Sequence, residues 1–427
     1  MGLLRFTFFL IEHEGVRMFL KLMNGLTCIA IGLAGQSLLG FEHTKVLPKG
    51  VRNLTIKSVR TSIGKKSNKE GIVEGIASPL EKEMTFKKVV NGESGLKKTQ
   101  LEALMLYKEF SPDDSLGKLS ADMQGNVAVT APVFSLGLLD NLTLALAVPF
   151  YQADMAIKLG FQIERDNANK LLRTLEEQNQ IGAANDVAAK LNDAEGSLNG
   201  KLRDNGFREL KDWHGEGVGD VTIASKYKAL DDEILKVAST NGFLLPTGKT
   251  SHPDILNDIP FGKGTLDFFS TLALDQHIRE DLFFNQFVKY THHFPARRKM
   301  RMVTEEEAIE VDTLNVRYEL GANIDAGTSL QYEPESGLVL GLGYNFAKKM
   351  GDKYIVSDRP DTVNKLEKDT HQLAQYWEAK IGYSGVHAYK RGEIPAPFSA
   401  TVEYKKHIAS VNTFTNDFVT MDLALFF

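Results

Sequence analysis

Three things are scarce in this chain, and each scarcity removes a class of protein. Cysteine is the first: Cys28 is the only one, and it lies in a stretch that reads as a removable signal. The mature protein then has no thiol, hence no disulfide, thiolate metal site or cysteine nucleophile. A chain of 427 residues does not need the disulfides on which small secreted folds rely. Long apolar runs are the second scarcity. The apolar stretch Leu26–Ala34 falls well short of the roughly 20 residues a helical span requires. The third is an excess of either charge: 50 Lys and Arg face 55 Asp and Glu, a net of -5, so nothing points to nucleic acid.

What is present fits another solution to crossing a membrane. The composition is 43% hydrophobic and 25% charged. Transmembrane barrels look like this, because only alternate residues of each strand must be apolar. At the N-terminus, Arg17 and Lys21 precede the apolar run, and the small residues Ala34, Gly35 and Ser37 follow it. That order is a secretory signal, assigned to residues 1–40, with Met18 a better-formed start than Met1. Cys28 is no lipoprotein cysteine, because the apolar run continues past it.

Residues 41–118 are mixed in character and form a candidate plug, with a strand over Val51–Ile63 and a short helix over Lys98–Tyr107. From residue 119 to 427 the chain alternates in segments of strand length, broken by Gly, Asp and Asn. They include Leu142–Ala156, Val218–Leu230, Ile234–Leu245, Thr265–Leu274, Leu282–His293, Val311–Gly321, Gly327–Tyr332, Gly337–Phe346, Gln372–Tyr383, Phe398–Ile408 and Phe414–Phe427. Several exceed the roughly 5–6 residues of a soluble strand, which argues against a β-sandwich. The expected fold is an all-β transmembrane antiparallel barrel of about 12 strands with an α-helical insertion.

The C-terminus agrees. Val419, Met421, Leu423, Leu425 and Phe427 fall on one face at a spacing of two, while Thr420, Asp422 and Ala424 occupy the other. This ending resembles the closing strand of bacterial outer-membrane barrels, which the barrel-assembly machinery reads. The resemblance implies a multi-pass protein of the outer membrane of a Gram-negative bacterium.

Residues 162–205 differ from everything around them. Ile181, Ala184, Ala188, Leu191, Ala194, Leu198 and Leu202 recur at intervals of three and four, preceded by Ala168, Leu171 and Leu175. The spacing predicts an amphipathic helix or a helical hairpin broken near Gly182. Its narrow stripe suits a contact between subunits, a lid or plug for the barrel, or packing on its own barrel rim. Counting strands back from a periplasmic Phe427 puts residues 160–216 on the periplasmic side.

The stretch GEGVGDVTIASKYKAL carries Gly217, Gly219 and Asp220, then Lys226 and Tyr227, and Pro246, Thr247 and Gly248 follow at the end of the next strand. Together these residues resemble the phenol meta-pathway outer-membrane protein family, which is similar in turn to the long-chain fatty-acid transporter barrels. The whole chain also resembles porin-like outer-membrane proteins of predatory bacteria. The Gly-x-Gly residues precede a strand and not a helix, so they lack the helix N-terminus that cradles a phosphate. His292 and His293 point to opposite faces of one strand. Arg297–Lys299 and Glu305–Glu307 read as a solvated loop with paired charges. No Ser, His and acid constellation stands out, and no catalytic residue, metal or cofactor is assigned.

Three functions are open at this point. The first is a porin-like barrel for passive passage or envelope and lipid organisation, as a homo-oligomer (a trimer or larger ring) among membrane lipid. The second is an uptake channel for hydrophobic compounds of the fatty-acid or aromatic type. The third is a structural oligomer that holds lipid without real transport.

Overall fold

A computed structural model describes residues 42–78, 81–85, 111, 113–177, 194–204, 206–301, 313–356 and 363–427. Twelve strands form a closed wall. They are β1 (Arg52–Ile63), β2 (Ser115–Leu139), β3 (Leu142–Ala147), β4 (Val221–Asp231), β5 (Leu235–Leu245) and β6 (Asp267–Arg279). Then follow β7 (Leu282–His293), β8 (Asn323–Tyr332), β9 (Leu338–Lys349), β10 (Gln372–Ser384), β11 (Phe398–Val411) and β12 (Phe418–Phe426). Each pairs antiparallel with the next, and β12 returns to β1, so no barrel edge is left open. The backbones of Arg52 and Phe427 exchange two hydrogen bonds, Arg52 N to Phe427 O at 2.8 Å and Phe427 N to Arg52 O at 2.9 Å.

Alternation decides the two faces of this wall. On β12, Met421, Leu423, Leu425 and Phe427 are 47–62% exposed on the outside, while Phe418, Thr420 and Ala424 are buried inside. Every other strand exposes large apolar residues in the same way, for example Ile56, Phe134, Leu144, Ile223, Phe243, Leu272, Val288, Leu330, Leu342, Trp377 and Val402. In water such a belt would be a severe liability. In a bilayer it is the lipid-facing surface, and the closed ladder satisfies the backbone groups that lipid cannot. No helix among the described residues is long and apolar enough to cross a membrane. The protein is a transmembrane β-barrel.

The connections differ sharply between the two ends. At one end lie the short turns 140–141, 232–234, 280–281 and 333–337, the 385–397 connection and the C-terminal residue. At the other lie 64–114, 148–220, 246–266, 294–322, 350–371 and 412–417. Short turns are periplasmic and long connections extracellular in such barrels. The helical insertion therefore sits on the extracellular side, opposite Phe427, and the parity count from sequence is overturned. The cause is one strand. Thr313–Glu319, counted into the wall as Val311–Gly321, pairs instead with Ala296–Arg301 and Lys353–Ile355 in a separate three-stranded sheet. Removing it flips the count, and β1 restores the total of twelve, so the wall begins at Arg52 and not near 119.

Leu142–Ala156 also proves to be two strands. β3 stops before Val148 and Pro149, and Phe150–Ile163 continues upward along the first half of β2, with Trp213–Val218 beside it. Between these two strands lie the helices Arg165–Glu177 and Ala194–Asp204. Gly182 and the helix over Lys98–Tyr107 lie outside the described residues.

Candidate functional site: a lumen with one charged wall

The inward faces of the strands build a lumen with two unlike walls. On β2 and β3 most inward positions are apolar, namely Val127, Val129, Ala131, Val133, Ala145 and Ala147, with the buried Ser135 and Thr143 toward the periplasmic end. Across from them the inward positions carry charge. Lys57 of β1 lies 3.4 Å from Asp422 of β12, and Lys405 of β11 lies 3.2 Å from Glu403 and 3.7 Å from Glu378 of β10. Lys380 is 3.9 Å from Glu403, and Asn345 of β9 hydrogen-bonds Glu378. Farther round, Lys289 of β7, whose ammonium sits 5.1 Å from the Phe269 ring, and Asp325 of β8 are buried beside a cavity of about 90 Å³. Charges inside a membrane protein sit where they face a polar cavity and one another. This wall meets both conditions.

The periplasmic end is occupied by the chain's own N-terminal segment. Lys49 N donates to Asp140 at 3.0 Å and Leu47 N to the Thr143 hydroxyl at 2.8 Å, which places the segment inside the first periplasmic turn. Deeper in the lumen, the Thr44 amide donates to Asp275 at 3.1 Å and its hydroxyl bonds the same carboxylate. Asn285 donates to Glu42 O at 3.2 Å and to Asp275 at 2.6 Å, and the ring of His43 lies 3.2 Å from the Lys226 ammonium. Lys45 pairs with Glu333 at the rim. Gly137 makes room for the segment: a Cβ there would overlap the Pro48 carbonyl oxygen. Sequence reading missed these partners. Parity places Asp275 and Asn285 on the inward faces of β6 and β7, but it does not set them apart from Asp267, Thr271, Lys289 and Thr291 on the same faces.

The extracellular mouth is where the Gly217–Asp220 and Pro246–Gly248 motifs meet. The Asp220 carboxylate accepts Gly248 N at 2.9 Å and Lys263 N at 3.1 Å. The Thr247 hydroxyl accepts Val221 N at 3.0 Å and donates to Gly219 O at 2.8 Å. Burial pushes the Asp220 carboxyl up, and the two amides offset only part of that. Gly217 and Gly219 leave space for two rings: a Cβ on Gly217 would touch Phe261, and one on Gly219 would strike Tyr151. Phe261 stacks on Tyr151 at 5.3 Å and leans on Trp213 at 6.4 Å. Pro246 is exposed and ends β5 without a bond of its own to this clasp. The residues that resembled a family signature thus hold the 246–266 loop down on the mouth.

Under that loop lies an apolar cluster that joins Leu256, Ile259 and Phe261 to Val59, Ile63 and Met123 of the wall and to Met155 of the Phe150–Ile163 strand. Leu202, the last residue of the predicted stripe, is buried in it with Phe207 and Leu210. Ala168 and Leu171 are also buried within the chain, and Asn167 of their helix donates to Ser115 O at 2.7 Å. Ile181, Ala184, Ala188 and Leu191 lie outside the described residues; Ala194 and Leu198 belong to the second helix. His293 faces inward, 2.7 Å from Asp267, whereas His292 packs on Phe294 outside. Arg297–Lys299, read as a loop, lies on the strand Ala296–Arg301. Among these basic neighbours Arg301 pairs with Asp254, and the acidic run Glu305–Glu307 falls outside the described residues.

No family model and no curated protein matches this chain. Solved structures do. An outer membrane channel from Pseudomonas putida F1 aligns over 90% of this chain and 98% of its own, at 12% identity and a TM-score of 0.50. A FadL homologue from Pseudomonas aeruginosa aligns over 89% and 90%, at 7% identity and a TM-score of 0.33. The toluene transporter TbuX from Ralstonia pickettii aligns over 89% and 90%, at 9% identity and a TM-score of 0.32. The chain folds as a closed, twelve-stranded outer-membrane barrel, and the Pseudomonas putida channel is similar to it in fold along nearly its whole length.

Proposed function

We propose that the protein is a gated, porin-like channel for small polar or amphiphilic solutes, and that it works without a catalytic step. The observation that carries this reading is the lumen wall of paired Lys and acid side chains from β1 and β7–β12. A conduit for solely apolar cargo gains nothing from charges whose burial is costly unless they are paired or hydrated. The 42–50 segment enters the lumen at the periplasmic end and the 246–266 loop packs on the mouth, so the gate of this channel is the segment, the loop or both. The polar bonds of the first are of the kind that water can replace.

Conductance in planar bilayers tests this. Asp275→Ala removes the acceptor of Thr44 and a partner of Asn285, and is expected to raise the open fraction over wild type. Equal, negligible conductance in both proteins under all voltages would sink the channel reading.

Hydrophobic-compound uptake is the second reading, favoured by the apolar β2–β3 wall and by the Tyr151, Trp213 and Phe261 rings at the mouth. It predicts accumulation of an aromatic hydrocarbon in proteoliposomes without swelling in small sugars, whereas the polar channel predicts the reverse. For a lipid-holding homo-oligomer, the described helices offer little support, because Ala168, Leu171 and Leu202 are buried in their own chain.

A further inference from the structure

Above the lipid-facing belt, the three-stranded sheet formed by Ala296–Arg301, Thr313–Glu319 and Lys353–Ile355 has two faces. One packs inward on its own small core of Val316, Tyr318, Leu320 and Tyr354. The opposite face exposes Arg297 and Lys299 from its first strand, Arg317 from its second and Lys353 from its third. Lys348, exposed at the top of β9, extends the same patch downward. Among the described residues none of these five cations pairs with an acid, and Glu319, level with Lys353, is the one described acid on that face.

Two features make this more than a solvated surface. Arg297 and Arg317 are directly opposite across the strands, an arrangement of like charges that destabilises a sheet unless an anion lies between them. The patch is also continuous with the membrane belt. β7 runs outward through Val288 and Tyr290 to the exposed Phe294, two residues before the first basic strand begins, and β9 ends beside the exposed Met350. The five cations therefore stand where acyl chains give way to headgroups on the extracellular side.

We propose that this face docks the phosphorylated headgroup of an outer-leaflet glycolipid, with Arg297 and Arg317 sharing a phosphate and Lys299, Lys348 and Lys353 around it. Guanidinium groups suit this task, since their fork of donors matches phosphate oxygens two at a time. Basic residues near a membrane surface are drawn to anionic lipid, and their attractions add when several stand together.

The test uses the full chain in detergent, with bound lipid counted by native mass spectrometry. The probes are bisphosphorylated lipid A, the same lipid with both phosphates removed, and inorganic phosphate alone. Wild type is expected to retain the bisphosphorylated lipid over the dephosphorylated one. Arg297→Gln/Lys299→Gln/Arg317→Gln is expected to weaken that binding at least about tenfold. Arg317→Glu gives an independent check, because it turns the like-charge pair into an opposite one. It is expected to raise the melting temperature while lowering lipid retention. Equal retention of the two lipids, or retention unchanged in Arg317→Glu, overturns the proposal. Displacement of the lipid by millimolar inorganic phosphate overturns the lipid assignment in favour of a free-phosphate site. If the triple variant does not fold, Arg317→Glu decides alone.

Discussion

At the residue scale, the positions that matter most are those where a loop or the N-terminal segment is tied to the wall. Asp220 is one. Asp220→Ala leaves the Gly248 and Lys263 amides without their acceptor, which costs about 1–3 kcal/mol for buried donors. The expected outcome is faster amide exchange across 246–266 and more frequent channel opening, with the barrel itself intact. Gly137 is its counterpart at the periplasmic end. Gly137→Ala forces the Pro48 carbonyl away from β2, at a cost of about 1–3 kcal/mol typical of overpacking. Single-channel recordings are expected to show longer openings, and protease added from the periplasmic side should cut the 42–50 segment sooner. A variant with unchanged gating would mean that the segment yields without opening a path.

At the element scale, the extracellular connection between β11 and β12 carries a pH dependence. The Asp417 carboxylate accepts the Tyr404 hydroxyl at 2.7 Å, the Lys406 ammonium at 2.8 Å and the His407 amide at 2.9 Å. Burial alone would raise its pKa, but these bonds outweigh burial and hold it below the ordinary value. A depressed carboxyl contributes stability above its unfolded pKa and loses that contribution as pH falls through the folded value. Exchange protection in 412–417, corrected for the intrinsic pH dependence of amide exchange, should thus be equal at pH 7 and pH 5 and fall below about pH 4. Asp417→Asn should already exchange fast at pH 7 and lose the acid response.

Elements were also where the sequence was most and least readable. β7 and β10 are visible as alternating segments, because one face must meet lipid and the other the lumen. Thr313–Glu319 alternates just as well, yet its apolar face covers a small extracellular core; periodicity does not say what lies against a face. β1 was readable as a strand but not as a member of the wall, since its partners β2 and β12 are brought to it only by closure. The motif residues were legible as a cluster of turn formers. Their joint task, holding a loop through Asp220, depends on a contact between segments 28 residues apart that no local pattern encodes. The lumen partners of 42–45 were illegible for the same reason.

At the scale of the whole molecule, the balance of charge in the lumen would set the selectivity of the proposed channel. Lys57, Lys289, Lys380 and Lys405 face Asp325, Glu378, Glu403 and Asp422, so a salt gradient should give only a small reversal potential. Lys289→Glu together with Lys405→Glu should drive it toward cation preference, and an unchanged potential would place the ion path elsewhere.

The exchange of hydrogen bonds between Arg52 and Phe427 has a consequence in time. Neighbouring strands of the meander pair across shorter stretches of chain. The β1–β12 contact joins the two ends of nearly the whole wall, and this largest sequence separation makes it the slowest ladder to form. Until it does, β1 and β12 present two unpaired edges. A chain lacking its last few residues should accumulate as an open sheet that proteases can digest, with eleven strands correctly paired and no lumen at all.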